Sequence, residues 1–241
     1  MSDSVFRKEY YYTVNFKDCY DNITPFGILN IFQDVASKHV EKEGYGFSEL
    51  FKLGYFWILV RTKYEVIKYP KPTDEVLVAE TWQTEQGRVD FNREYAIYSK
   101  DGEKLIIGDS KWCLIDVNTR RIAPTKVINN AIINNTKSNF SEPFKKLAFD
   151  PIISGNDYKE KVTFSKLDHN GHMNNAYYAE LIVNAIRPSK SDLIKKFAID
   201  YLKESIIDDL IVIKKKEEGN VVLIEGYREN DILFRAKIEL F

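Results

Sequence analysis

Residues 164–178 read Phe-Ser-Lys-Leu-Asp-His-Asn-Gly-His-Met-Asn-Asn-Ala-Tyr-Tyr. Asp168, Asn170 and His172 put a carboxylate, an amide and an imidazole at alternate positions, and Asn174 and Asn175 then open an amphipathic segment. An imidazole can take up or give a proton near neutrality, and a carboxylate can orient or deprotonate a water. Backbone N–H groups at a helix start favour developing negative charge. Gly171 allows the backbone to come close to a reacting group. Together these groups suit polarisation of a carbonyl and activation of a water, the chemistry of ester or thioester hydrolysis.

The same residues have plainer readings. Asn170-Gly171 also reads as a turn and Asn174 or Asn175 as a helix cap. As metal ligands, Asp168, His169 and His172 are poorly spaced, and no third histidine is near in sequence. A calcium loop fails because Gly171 falls two positions early. Gly46-Phe47-Ser48-Glu49-Leu50 lacks the second glycine of a nucleophile elbow.

A helix bearing such a site needs a sheet beneath it. The 241 residues allow one large domain or two small ones, and 44% hydrophobic residues suffice for a core. Fifteen Tyr and fifteen Phe favour sheet. A net charge of −1 gives no basic field for nucleic acid. No apolar run of membrane-spanning length occurs, and Met1–Tyr10 has no signal core. With only Cys19 and Cys113, a reducing cytoplasm is expected rather than a disulfide framework.

The pattern predicts strands over 10–16, 56–66, 75–82, 89–98 and 105–116. It also predicts a helix that starts at Thr24-Pro25 and stops at Gly44. His39 falls on that helix's apolar face and reads as a core or pocket-lining residue. Residues 124–157, with three prolines, read as a connector that crosses the molecule, with a short helix near Val127–Ile133. The order then restarts: strand 158–164, helix Asn175–Ile186, and strands 197–202, 210–216, 221–227 and 232–240. Strand, helix and four strands thus occur twice, which predicts an α+β fold with one long antiparallel sheet and two central helices. The units are 1–123 and 158–241. Trp57, Trp82 and Trp112 fall on strands, as core or as walls of a tunnel.

Asp168-x-Asn170-x-His172-x-Asn174-Asn175 followed by Phe197-Ala198-Ile199-Asp200-Tyr201-Leu202-Lys203-Glu204-Ser205 resembles the acyl-acyl-carrier-protein thioesterases of plant plastids and bacteria. Phe56–Arg61 and Asp109–Asp116 with Thr119-Arg120-Arg121 extend the likeness into the first half. The resemblance implies a tandem, or double, hotdog. It places catalytic roles on Asp168, Asn170, His172 and a later acid, Glu204, which on spacing alone reads as a solvated strand residue. Many plant members have a cysteine after that acid, where this chain has Ser205, so a thiol nucleophile there is not expected. The plant transit peptide is missing, which implies a bacterial-type cytoplasmic enzyme. The expected activity is hydrolysis of fatty acyl-acyl carrier protein, with the first unit holding the acyl chain, the second supplying the catalytic set, and no cofactor or metal. The expected partner is acyl carrier protein with its acyl-phosphopantetheine, with Lys195-Lys196 and Lys214–Lys216 as possible docking charges. Neither nucleic acid nor membrane is an expected partner, and the chain would be a monomer of fused units or a homodimer. The rivals are an acyl-CoA thioesterase, a non-catalytic acyl-binding module and, more distantly, a dehydratase.

Overall fold

The computed structural model describes residues 4–128, 135–153, 155 and 157–241. The first half contains β1 (Phe6–Tyr11), α1 (Pro25–Lys42), α2 (Phe47–Lys52), β2 (Tyr55–Val66), β3 (Val76–Gln86), β4 (Phe91–Ser99) and β5 (Lys104–Asp116). The second contains β6 (Tyr158–Lys161), α3 (Asn175–Ile186), β7 (Ile194–Tyr201), β8 (Leu210–Glu218), β9 (Val221–Arg228) and β10 (Asp231–Leu240). All ten strands form one sheet in the order β1-β3-β4-β5-β2-β7-β10-β9-β8-β6. The second half of that order is the first half reversed, so two like units meet at an antiparallel seam where Arg61 faces Asp200 and Glu65 faces Lys196.

Helix α1 starts where the sequence puts it: Thr24 accepts from the Gly27 amide at 3.0 Å and Pro25 occupies the first turn. Its apolar stripe, Ile28, Ile31, Phe32 and Val35, is buried against the sheet. Phe32 stacks on Tyr95 at 4.2 Å. The ring fits there because β5 has Gly108 beneath it; a Cβ at that position would lie 2.1 Å from the Phe32 ring. Gly108→Ala should therefore destabilise the fold by about 1–3 kcal/mol, the usual cost of overpacking, read as a lower urea midpoint. An unchanged midpoint would mean that helix and sheet separate freely.

Three expectations need correction. The strand predicted over 10–16 lies earlier, at Phe6–Tyr11, and shares only Tyr10 and Tyr11 with the prediction; the one predicted over 158–164 ends at Lys161. After each the backbone enters one 3-10 turn, Val14–Phe16 and Phe164–Lys166. Alternation misleads there because Val14 and Phe164 are both 79% exposed. Strand β3 runs past Trp82 to Gln86, since Gln83 and Gln86 pair with Arg93 and Phe91 although their polarity suggests a loop. Helix α2 was not anticipated; a single buried residue, Leu50, seats it, too little for a periodic signal. Of the helix expected at Val127–Ile133, residues 129–134 lie outside the described residues, and Thr125–Val127 forms a 3-10 turn.

The connector does cross the molecule. Its described residues lie over the sheet face opposite the helices, where Trp82 Nε1 donates to the Lys137 carbonyl at 2.7 Å. Amides of Leu147 and Ile152 donate to Asp200 and Glu225, each at 2.8 Å. Under this strap, burial pushes the Asp109 carboxyl up to about 7; Lys63, 3.8 Å away, only partly counters that, and Glu94 adds to it. Lys63 is itself held below the usual ammonium range by burial. The folded chain therefore keeps a proton that the unfolded chain releases near pH 4. Stability should fall as pH rises from about 4 towards about 7, then level off. Asp109→Asn should flatten that slope in urea titrations at several pH values; parallel slopes would contradict it.

Candidate active site

Residues 164–175 form a tight loop whose geometry follows from Asp168. Its Oδ1 accepts from the amides of Asn170 at 2.8 Å and His172 at 3.2 Å. Its own amide donates to the His172 carbonyl at 2.7 Å, and the Gly171 amide to the Asp168 carbonyl at 3.0 Å. Gly171 sits at φ 78, which glycine tolerates. Asn174 then caps α3 by accepting from the Ala176 amide at 2.9 Å.

The first half repeats this loop bond for bond. Asp18 Oδ1 accepts from Tyr20 and Asn22 at 2.8 and 2.9 Å, and the Asp18 amide donates to the Asn22 carbonyl at 2.9 Å. Asp21 holds the left-handed position at φ 65, and Thr24 caps α1. An aspartate at this position thus builds the loop whether or not chemistry follows. What distinguishes the second loop is His172, where the first has Asn22.

The acid comes from elsewhere. After β7, residues 202–206 run back beside the loop: the Met173 amide donates to the Ser205 carbonyl at 2.7 Å, and His172 bridges to Ile206. This brings Glu204 Oε2 to 3.2 Å from His172 Nε2. Arg120, from the turn after β5, holds Nη2 3.5 Å from the same oxygen and lies over the Phe56 ring. Ser205 is fully buried, and its Oγ accepts from the Tyr178 hydroxyl at 2.9 Å, so it is a structural hydroxyl rather than an exposed nucleophile.

All four sequence-derived residues, Asp168, Asn170, His172 and Glu204, border one cavity of about 340 Å³, a size ordinary for small-ligand sites. Asn170 is exposed, Asp168 and His172 are half-buried, and Glu204 is open at the mouth. Asn175, at the start of α3, is part of the wall, so the positive end of the helix dipole adjoins the cavity. From the mouth the cavity continues into the first half, between α1 (Ala36, Val40) and the sheet (Trp57, Phe91, Trp112). Of the three tryptophans, Trp57 and Trp112 are therefore walls, whereas Trp82 lies beneath the connector. His39 is buried and pairs with Arg93 at 2.9 Å. Sequence reasoning gave no role to Arg120, nor to Gln83 and Arg93, which also border the cavity. Polar residues on a strand read as solvent-facing unless the partner strands are known. Among the described residues, no three His, Cys, Asp or Glu are grouped to hold a metal ion. No helix there is long and apolar enough to cross a membrane.

The chain matches the sequence model of the acyl-ACP thioesterase N-terminal domain over residues 3–132 and that of the acyl-ACP thioesterase C-terminal domain over residues 152–238. Oleoyl-acyl carrier protein thioesterase 2, chloroplastic, of Arabidopsis thaliana is 29% identical over 76% of this chain and 55% of its own length. The chain thus spans about half the length of the curated relatives it matches. An acyl-ACP thioesterase from Bacteroides thetaiotaomicron superposes with a TM-score of 0.84 at 22% identity, over 99% of this chain and 98% of that one. The 12:0-ACP thioesterase from Umbellularia californica gives 0.83 at 22% identity, over 100% and 98%. The ten-stranded sheet with its two long helices is the long antiparallel sheet that the repeat predicts, and it is accordingly the tandem hotdog that the family resemblance implies.

Proposed function

The chain belongs to the acyl-ACP thioesterase family, and on that footing we propose that it hydrolyses the thioester between a fatty acyl chain and acyl carrier protein, releasing the free acid. The observation that carries this reading is the His172–Glu204 contact, 3.2 Å, at the mouth of a cavity that continues between Ala36 and Val40 of α1 and Trp57, Phe91 and Trp112 of the sheet.

In this reading the thioester carbonyl sits beside the start of α3, and a water lies against Glu204 and His172. Those two side chains take the proton as the water oxygen bonds to the carbonyl carbon. The tetrahedral intermediate then collapses, the C–S bond breaks, and the proton is returned to the leaving pantetheine sulfur. Asn170 fixes the geometry at the mouth. Asp168 anchors the loop and stays out of the bond changes, as its repeat at Asp18 suggests. The first unit holds the acyl chain and the second supplies the catalytic set.

The carrier-protein arm and a cytoplasmic setting belong to the same proposal; two free cysteines, one of them exposed, suit a reducing compartment. The test is to load one fatty acyl chain on carrier protein and on coenzyme A and compare kcat/KM. Free acid should appear from both, faster from the carrier protein. A higher efficiency on coenzyme A would overturn the carrier assignment, and no acid from either would overturn hydrolysis.

A further inference from the structure

The cavity that opens at Glu204 and His172 does not end on hydrocarbon. Its wall includes Gln83 of β3 and Arg93 of β4, which face each other across the two strands. They are only 2% and 4% exposed. From β7 the strands run β2, β5, β4, β3, so Arg93 stands three and Gln83 four strand spacings from β7, about 14 and 19 Å. An acyl chain entering from the thioester end therefore meets them with its distal part.

Their hydrogen bonding is uneven. Arg93 Nη1 donates to His39 Nδ1 at 2.9 Å and to Thr81 Oγ1 at 3.2 Å. Because a guanidinium only donates, Nδ1 is the acceptor and the ring hydrogen sits on Nε2, 3.3 Å from Glu43 Oε1. Glu43 thus balances the Arg93 charge through the imidazole. Gln83 Nε2 is buried without a hydrogen-bond partner, as is His39 Nε2, but of the two only Gln83 is part of the cavity wall. A buried amide donor left unpaired is costly, and a methyl terminus arriving beside it offers no acceptor.

We infer that the distal end of this cavity is a subsite for a neutral oxygen, so that the favoured substrates are acyl chains carrying a hydroxyl or keto group far from the thioester. The inference rests on the thioesterase reading above. The oxygen accepts from Gln83, beside the guanidinium of Arg93. It is neutral rather than a carboxylate, because Glu43 already compensates Arg93 and a further anion would be buried unmatched.

The test uses a homologous series of acyl carrier protein thioesters in three forms of equal length: methyl-terminated, hydroxyl-terminated, and with the hydroxyl beside the thioester. At the length that reaches Gln83, the terminal hydroxyl should raise kcat/KM about ten-fold or more over the methyl form, and the misplaced hydroxyl should not. Gln83→Leu should bring that ratio to about one or below. Because the ratio is taken within one protein, partial misfolding lowers both rates alike and cancels. A wild-type ratio at or below one at every length, or an unchanged ratio in the variant, overturns the inference. Calorimetric binding of the free fatty acids to the wild type is independent of turnover and should rank hydroxyl-terminated above methyl-terminated; equal affinities also overturn it. If no thioester is cleaved but the affinity ranking holds, the hydrolase reading falls and the oxygen subsite stands.

Discussion

Glu204→Gln should lower kcat/KM on acyl carrier protein thioesters by about 10²- to 10⁴-fold, the usual worth of a positioned acid–base group. The substitution keeps the shape of the side chain and its reach to His172, 3.2 Å away, but an amide cannot take a proton from water. His172→Ala should cost a similar factor, and the double variant little more than either alone, because the two act on one proton. Asp168→Asn should do much less. The amide oxygen can still accept from Asn170 and His172, and the first-half loop shows the same turn held around a residue with no imidazole. Asp168→Ala removes the acceptor and should cost more, through the loop that carries His172. Ser205→Ala should leave the rate within a few-fold, since that hydroxyl is enclosed against Tyr178. Steady-state rates with one acyl chain distinguish these outcomes. Near-normal hydrolysis by Glu204→Gln would remove the acid from the mechanism.

Which of these groups could be read from the chain depended on how local their signals were. The two long helices were legible because Thr24-Pro25 and Asn174-Asn175 are cap chemistry set directly before apolar stripes. The doubled order of elements gave the sheet, although its strand order, reversed across the seam, is a tertiary fact that no local pattern holds. Asp168 and His172 share one loop and announce themselves. Glu204 does not: it lies past the end of β7, and only the pairing of residues 202–206 with the loop brings it to the imidazole. On periodicity alone it reads as solvated, and the family likeness singled it out. The chain does hold a local signal for the loop's structural aspartate. Asp18-x-Tyr20-x-Asn22-Ile23-Thr24 has the spacing of Asp168-x-Asn170-x-His172-Met173-Asn174, and the comparison separates what the fold needs from what the second half adds. Gln83 and Arg93 had no such clue, because their burial comes from α1, on the same face as Tyr95, and not from anything adjacent in the chain.

Ala36→Phe should reduce kcat/KM for the longest acyl chains by about 10- to 200-fold while sparing the shortest, which shifts the preferred length downward. Ala36 lies on α1, 4% exposed, where the helix meets the cavity between the catalytic mouth and the polar end at Arg93. The sheet opposite supplies Trp57, Phe91 and Trp112, and Ala36 borders the same cavity, so a phenylalanine ring at position 36 should project into it. Filling it should leave the His172–Glu204 end of the cavity unchanged and remove the space for distal methylenes. A general loss of folding would depress every chain length equally, so the length profile separates obstruction from damage. The profile also tests the division of labour between the units. If the acyl chain turned instead toward the second half, past Tyr178 and Tyr201, which border the same mouth, the substitution would leave the long-chain rates in place. Tyr178→Trp, at a side chain already packed edge-on against Tyr201 and Phe234, would then be the change that shortens the preference.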